Sequence, residues 1–234
     1  MKIACIICAR QNSKGLPNKN FKKLKGIPLI EWTISQAKKI REFDYILLST
    51  DNIKLSKFYK KKYNIENVKR PSKISKDNTS KTEVIYHGLS YLEKKYNTNI
   101  DYIVDLDVTT PLRKISDIRR SLKKLINSKF DNLVSVNIAK KNPYFNIVEL
   151  SNNKIKYLKS TNKTYNSRQS SPKVYELNGA IYIWKRKLII NKKLRNKLIT
   201  NSTMHIEIER NTAIDIDTKL DWRLINAIIE KKYD

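Results

Sequence analysis

Short apolar runs alternate along the chain with stretches whose apolar residues recur every three or four positions. Residues 3–9 (IACIICA) are continuously apolar and read as a buried strand. Residues 28–41 (PLIEWTISQAKKIR) put Ile30, Ile34 and Ala37 on one helical face. The alternation continues with a strand at 45–49, a helix at 53–63, a helix at 82–93, a strand at 102–106, a helix at 116–126 and an extended run at 133–137. This rhythm predicts an α/β fold: a Rossmann-like, doubly wound, mostly parallel sheet with helices on both faces. Crossovers between parallel strands should be right-handed.

The rhythm breaks near Ala139. Residues 139–177 carry little helical period and contain alternating stretches such as YFNIVEL and KIKYLKS. They read as an inserted arm, a hairpin excursion within one domain spanning 1–234. A core strand returns at 180–184, another strand is expected at 205–208, and a closing helix at 219–231.

Composition narrows the function classes. The chain has 234 residues, enough for one domain with a real core. Its patterned Ile, Leu and Tyr exclude low-complexity disorder, and 4 Gly with 6 Pro exclude collagen-like repeats. No apolar run approaches the roughly 20 residues that span a bilayer. MKIACIICAR lacks the core and cleavage site of a signal peptide, so a cytoplasmic location and no membrane partner are expected. The net charge is +27, but 38 of the 49 basic residues are Lys, dispersed among Asn and Ile whose codons are AT-rich. A nucleic-acid surface would show clustered Arg and aromatic residues. A basic pocket for a small anion is the preferred reading, with no nucleic-acid partner.

Cys5 and Cys8 form C-x-x-C inside the first strand. Residues three apart on a strand point to opposite faces, so the pair is expected to pack, not to bind metal or form a disulfide. His87 and His205 have no second His at ligand spacing and read as structural or surface residues.

Three segments follow predicted strands, where ligands bind in open parallel sheets. The first, Ala9-Arg10-Gln11-Asn12-Ser13-Lys14-Gly15-Leu16-Pro17-Asn18-Lys19-Asn20, matches neither a Walker A loop nor G-x-G-x-x-G. It offers three cations, Arg10, Lys14 and Lys19, with hydroxyl and amide donors between them, as a triphosphate cradle requires. An ordinary basic surface loop would look similar. The second, Leu106-Asp107-Val108-Thr109-Thr110-Pro111-Leu112-Arg113, sets a carboxylate and two hydroxyls at a strand end, for a ligand or for capping the next helix. The third, Ile214-Asp215-Ile216-Asp217-Thr218, places two Asp at i and i+2 on one face of an extended segment. Such a pair can hold a hard cation, as Mg2+ requires, or Asp217 can simply cap a helix beginning at Lys219.

Taken in order, A-R-x-x-S-K-G-L-P-x-K-N, L-x-x-T-T-P-L-R, Y-x-x-N-G-A-I-Y-I (residues 175–183) and D-I-D-T resemble the acylneuraminate cytidylyltransferases, the CMP-sialic acid synthetases, over essentially the whole chain. The runs DYIVDLDVTTPLR, NPYFNIVEL and AIYIWKR are most similar to the bacterial legionaminic acid branch. The resemblance implies an enzyme that joins CTP to a nine-carbon 2-keto sugar acid, a nonulosonic acid, releasing pyrophosphate. It implies Mg2+ and a homodimer. By position, Ala9, Arg10, Ser13, Lys14, Lys19, Asn20, Arg70, Ser80 and Thr109 would serve the nucleotide. Asp107, Arg168, Tyr175 and Asn178 would serve the sugar acid, with Arg168 pairing with its carboxylate from the arm of a neighbouring subunit. Asp215 and Asp217 would bind the metal and, with Lys19, carry catalysis. The related 3-deoxy-octulosonate enzymes and the N-acetylneuraminate enzymes are the alternatives within the class, and a basic nucleic-acid-binding protein is the alternative outside it.

The chain departs from the family pattern in two places. Gln11 and Asn12 stand where two Gly are common, and Asp107-Val108 stands where many sialic acid enzymes have Gln-Pro. An ionised carboxylate cannot donate a hydrogen bond as an amide can, so Asp107 points to a different sugar or to a metal-ligand role.

Overall fold

The computed structural model describes residues 1–11 and 15–233. The chain opens with β1 (Ile3–Cys8), a small hairpin of β2 (Lys23–Leu24) and β3 (Ile27–Pro28), and helix α1 (Leu29–Lys38). β4 (Tyr45–Thr50), α2 (Ile53–Tyr63), β5 (Glu66–Lys69), α3 (Lys81–Tyr96), β6 (Tyr102–Leu106), α4 (Ile115–Ile126) and β7 (Asn132–Ile138) follow. The excursion holds β8 (Val148–Ser151) and β9 (Lys154–Tyr157). The chain then returns through β10 (Tyr175–Lys185), α5 (Arg186–Ile190), α6 (Lys192–Arg195), β11 (Thr203–Glu207) and α7 (Lys219–Tyr233).

Among the described residues seven strands form one sheet in the order β11-β7-β10-β6-β1-β4-β5. β1 lies inside the sheet and pairs in parallel with β4 and β6. Its Ile3 to Ile7 are all buried, which is why the strand reads as an unbroken apolar run. Two apolar clusters lie on opposite faces. One gathers α1, α4 and α7 through Ile30, Ile34, Leu122 and Ile225; the other gathers α3 and α5 through Ile85, Leu89 and Leu188. Cys5 belongs to the first cluster and Cys8 packs against the second, the opposite-face placement that the strand period predicts. Among the described residues no helix is long and apolar enough to cross a membrane.

The sheet differs from the predicted pattern at β10. This strand is eleven residues long and antiparallel to both β6 and β7, so Tyr175–Leu177, expected in the arm, belong to the sheet. Its pairing with β7 shifts between Leu177 and Tyr182, around Gly179 at φ +69°. The short edge strand β5 and the helices α5 and α6 were not predicted. β5 is polar on most of its length, and α5 and α6 span 5 and 4 residues, too short for a period to show.

The arm does contain a hairpin. β8 and β9 are joined through Asn152 and Asn153, both at positive φ (50° and 60°), the geometry of a tight hairpin turn that Asn tolerates. Val148 opposes Tyr157 and Leu150 opposes Ile155, so these four side chains share one face. All four are exposed, Leu150 by 74% and Ile155 by 67%.

Candidate active site

The ends of β1, β4, β5 and β6 lie along one edge because the four strands run parallel. Ala9 is fully buried, and its N–H donates to Ser49 O at 3.0 Å; Arg70 N–H donates to Thr50 O at 2.8 Å. The segments leaving β1, β5 and β6 border a cleft of about 390 Å³, together with Lys76, Asp77, Thr79, Lys81, Asp215 and Asp217. A larger cavity of about 680 Å³ lies between α1, residues 111–115 and α7, but neither the loop cations nor the Asp pair line it. The cleft at the strand ends is therefore the candidate site.

The first loop and the late Asp pair meet there. Lys19 Nζ lies 2.5 Å from Asp217 Oδ1 and donates to Ile216 O at 3.0 Å. A Cβ added to Gly15 would sit 2.5 Å from Asp217 O, so only Gly allows this approach. Ile216 N–H donates to Thr109 O at 2.9 Å, which ties the late segment to the loop after β6. Asn20 is buried and donates to Arg10 O at 2.9 Å, holding the loop closed on itself. Arg10 pairs with Asp77 across the cleft mouth. Ser13 and Lys14, with Asn12, fall outside the described residues.

Capping does not explain the acidic residues. α7 is capped by Thr218, whose hydroxyl accepts from Asp221 N–H at 3.2 Å, while Asp221 accepts from Thr218 N–H at 2.7 Å. Asp217 is thereby left to Lys19. Likewise α4 begins at Ile115 after Lys114, so Asp107, Thr109 and Thr110 do not cap it. Thr110 instead donates to Asp107 O and Thr109 to Asp107 Oδ1, both at 3.2 Å.

Asp215 is the residue that tests whether the site fits a cation. Its Oδ1 is buried with no hydrogen-bond partner. Burial, then the charge of Asp107, pushes its carboxyl up to about 6. A hard cation would relieve both the orphaned oxygen and the repulsion, so the residues present fit a divalent metal. Burial also lifts the Cys8 thiol at the cleft wall to about 12.

Two cations to which the sequence assigned no role shape the site. Lys81, the first residue of α3, lies 2.7 Å from Asp105 Oδ2 and 2.8 Å from Asp107 Oδ2. Burial raises the Asp107 carboxyl, but Lys81, Arg113 and Lys19 together pull it below the usual value. Arg113 is buried behind the loop, donating to Asp107 O, to Thr110 Oγ1 and to Gln36 Oε1, the last at 2.9 Å. Burial lowers its guanidinium to about 10. The D-L-D spacing at 105–107 was the available sequence signal; nothing local marked Lys81 as its partner.

The other expected residues divide. Arg70 is buried and lines the cleft, with Nη2 2.9 Å from Ser49 O. Ser80 caps α3 by accepting from Glu83 N–H at 3.3 Å and lies beside the lining residues Thr79 and Lys81. Asn178 is engaged in the sheet, bonded to Ser135 at 2.6 Å and Asn137 at 2.9 Å. Tyr175 is exposed, with its ring 5.4 Å from that of His205. Arg168 is exposed on the arm. None of these last three lines the cleft of the single chain.

Comparison with known proteins places these features. A family model described as Cytidylyltransferase matches residues 4–228. The chain is 34% identical over 232 residues to CMP-N,N'-diacetyllegionaminic acid synthase of Campylobacter jejuni, covering 99% of this chain and 96% of that protein. It is 32% identical over 231 residues to post-translational flagellin modification protein B of Campylobacter coli, with the same 99% and 96% coverage. A solved CMP:2-keto-3-deoxy-manno-octonic acid synthetase complexed with CTP superposes with a TM-score of 0.70 at 16% identity, covering 99% of this chain and 100% of that one, a likeness of fold.

Proposed function

The chain belongs to the cytidylyltransferase family and is a nucleotidyltransferase, and from that premise we propose that it couples CTP to legionaminic acid or a close sialic-acid-like sugar. The products are the CMP-sugar and pyrophosphate. The observation that carries this reading is the meeting of the cation loop with the late Asp pair through Lys19 and Asp217. Likeness over nearly the full length of a legionaminic acid synthase supports the choice of sugar.

Enzymes of this kind generally use a divalent metal; we assign Mg2+ to Asp215 and Asp217. When bound, it offsets charge on the phosphates and lowers the pKa of an attacking hydroxyl. Arg10 and Lys19 then exchange their carboxylate partners for phosphate oxygens and stabilise the departing pyrophosphate. The loop from Ala9 to Asn20, with Arg70, Ser80 and Thr109, frames the nucleotide. Asp107, Tyr175 and Asn178 belong to the sugar side. The sugar's anomeric hydroxyl attacks the α-phosphorus in line. Among the described residues no His lines the cleft, which suits a reaction whose nucleophile needs no imidazole base.

The chain acts as a homodimer in this proposal. The apolar face of the β8–β9 hairpin supports it, since four exposed apolar side chains on one face call for a partner. Arg168, on the same arm, would reach the neighbour's sugar carboxylate, which its planar fork suits. Consumption of CTP fits a cytoplasmic enzyme.

The test is pyrophosphate release from CTP and Mg2+ with a panel of sugar acids: legionaminic acid, N-acetylneuraminic acid and 3-deoxy-octulosonic acid. Fastest release with legionaminic acid or a close analogue is expected. Preference for 3-deoxy-octulosonic acid would select the alternative within the class, and no release with any of the acids would overturn the reading.

A further inference from the structure

Asp105 and Asp107 stand two residues apart at the end of β6 and so face the same way. α3 begins over that face, and Lys81 sends its ammonium between the two carboxylates, 2.7 and 2.8 Å from them. The Tyr182 ring closes over the ammonium, its centroid 5.0 Å away. Asp105 is completely buried.

Asp107 is also a neighbour of the Asp pair. A Cβ at Gly179 would lie 3.9 Å from both Asp107 Oδ2 and Asp215 Oδ2, so the two carboxylates flank one point. Yet the described residues contain no group of three His, Cys, Asp or Glu set to hold a metal. The two carboxylates differ in their hydrogen bonds. Both oxygens of Asp107 are engaged, Oδ2 by Lys81 and Oδ1 by Thr109, whereas Asp215, which Thr109 also contacts, has its Oδ1 without a partner.

We propose that Lys81 is a positioning residue that withholds Asp107 from the metal, leaving the cation to Asp215 and Asp217. This inference rests on the reading of Asp215 and Asp217 as the metal pair. Its consequence follows from coordination chemistry. Mg2+ in nucleotide enzymes is held by one or two carboxylates and completes its shell with phosphate oxygens and water. A third carboxylate would bind the ion more tightly without nucleotide and take a place that the phosphates need. Lys81 thus makes firm metal binding depend on the nucleotide. It also sets a cation against the Asp107 carboxylate at the cleft wall.

The test titrates Mn2+ into the nucleotide-free protein and reads free Mn2+ by electron paramagnetic resonance. Lys81→Met alone strands the buried Asp105, so Lys81→Met is combined with Asp105→Asn. The double variant should bind Mn2+ about tenfold more tightly than the wild type. Adding Asp107→Asn should return binding to the wild-type level, and Lys81→Arg should stay near wild type. A double variant that folds and binds no more tightly overturns the proposal. A second measurement leaves Lys81 in place: Asp107→Asn alone should not change Mn2+ binding, and a tenfold loss there would show Asp107 to be a ligand and overturn the proposal. Asp215→Asn separates the two readings. If it leaves Mn2+ binding unchanged, the metal pair itself falls and this inference with it. If it weakens binding while the double variant matches wild type, only the role of Lys81 falls.

Discussion

Lys19 and Asp217 lie 198 positions apart in the chain, yet Lys19 Nζ sits 2.5 Å from Asp217 Oδ1, and both line the cleft. The Asp217 side chain is 67% exposed, so the pair adds at most about 1 kcal/mol to stability. In the proposed reaction its value lies in catalysis. Asp217→Ala should lower turnover at least about 100-fold, the scale of losing a group that stabilises developing charge. Circular dichroism and thermal unfolding should stay near wild type. Retained turnover would remove Asp217 from the metal site.

Gly15 tests the same junction from the loop side. Its Cα approaches the Asp217 carbonyl so closely that Ala would place a methyl 2.5 Å from that oxygen. Backbone must then move by a fraction of an ångström or more, and small displacements at reacting centres cost up to about 100-fold in rate. Gly15→Ala should reduce kcat/KM for CTP more than tenfold on that scale. Steady-state kinetics with saturating sugar acid give the number, and wild-type kinetics would show the junction to be pliable.

Much of this site was legible because buried parallel strands are continuous apolar runs, and their ends can be read directly. Arg10, Asp107 and Asp215 all follow from locating β1, β6 and the late extended segment. Lys81 was not legible. It begins a helix 24 residues before Asp105, and only the packing of α3 on β6 brings the two together. The direction of β10 was equally hidden, since the apolar run AIYIW reads the same whichever way the strand points. Thr218 and Asp221 form a T-x-x-D cap that the sequence did display; reading it would have freed Asp217 from the capping role at once.

Cys8 lines the cleft but should be inert. Burial, reinforced by the Asp105 charge, holds its thiol near 12, so almost no thiolate exists at pH 8. Native protein treated with iodoacetamide at pH 8 should show little Cys8 modification by mass spectrometry, and full modification after unfolding in urea. Rapid native labelling would contradict the buried environment.

Asp44 gives the fold a defined acid sensitivity. Its carboxylate accepts from Ile3 N–H at 2.8 Å and Lys2 Nζ at 3.0 Å, pinning the start of β1. Burial alone would raise its pKa, but these donors outweigh burial and hold it below the ordinary 3.8. A folded value below the unfolded one means stability is in place above about pH 4. That stability is lost as the pH falls through the lower folded value. Asp44→Asn should cost about 1 kcal/mol at pH 7 and progressively less below pH 4, measured by urea unfolding at several pH values. An equal cost at pH 7 and pH 3 would assign the effect to shape, not charge.

Arg168 lies outside the cleft of its own chain, and that position makes a sharper prediction than substitution alone. Arg168→Ala should raise KM for the sugar acid at least about tenfold, the loss of one charge-assisted pair, with a smaller change for CTP. If the arm serves the neighbouring site, mixing inactive Asp217→Ala protein with Arg168→Ala protein should restore activity after subunit exchange. Each mixed dimer then contains one site with Asp217 from one protomer and Arg168 from its partner. Restored turnover at low sugar concentration locates Arg168 across the interface. Failure to recover, with exchange confirmed by mass spectrometry, would assign Arg168 to its own chain or to no site at all.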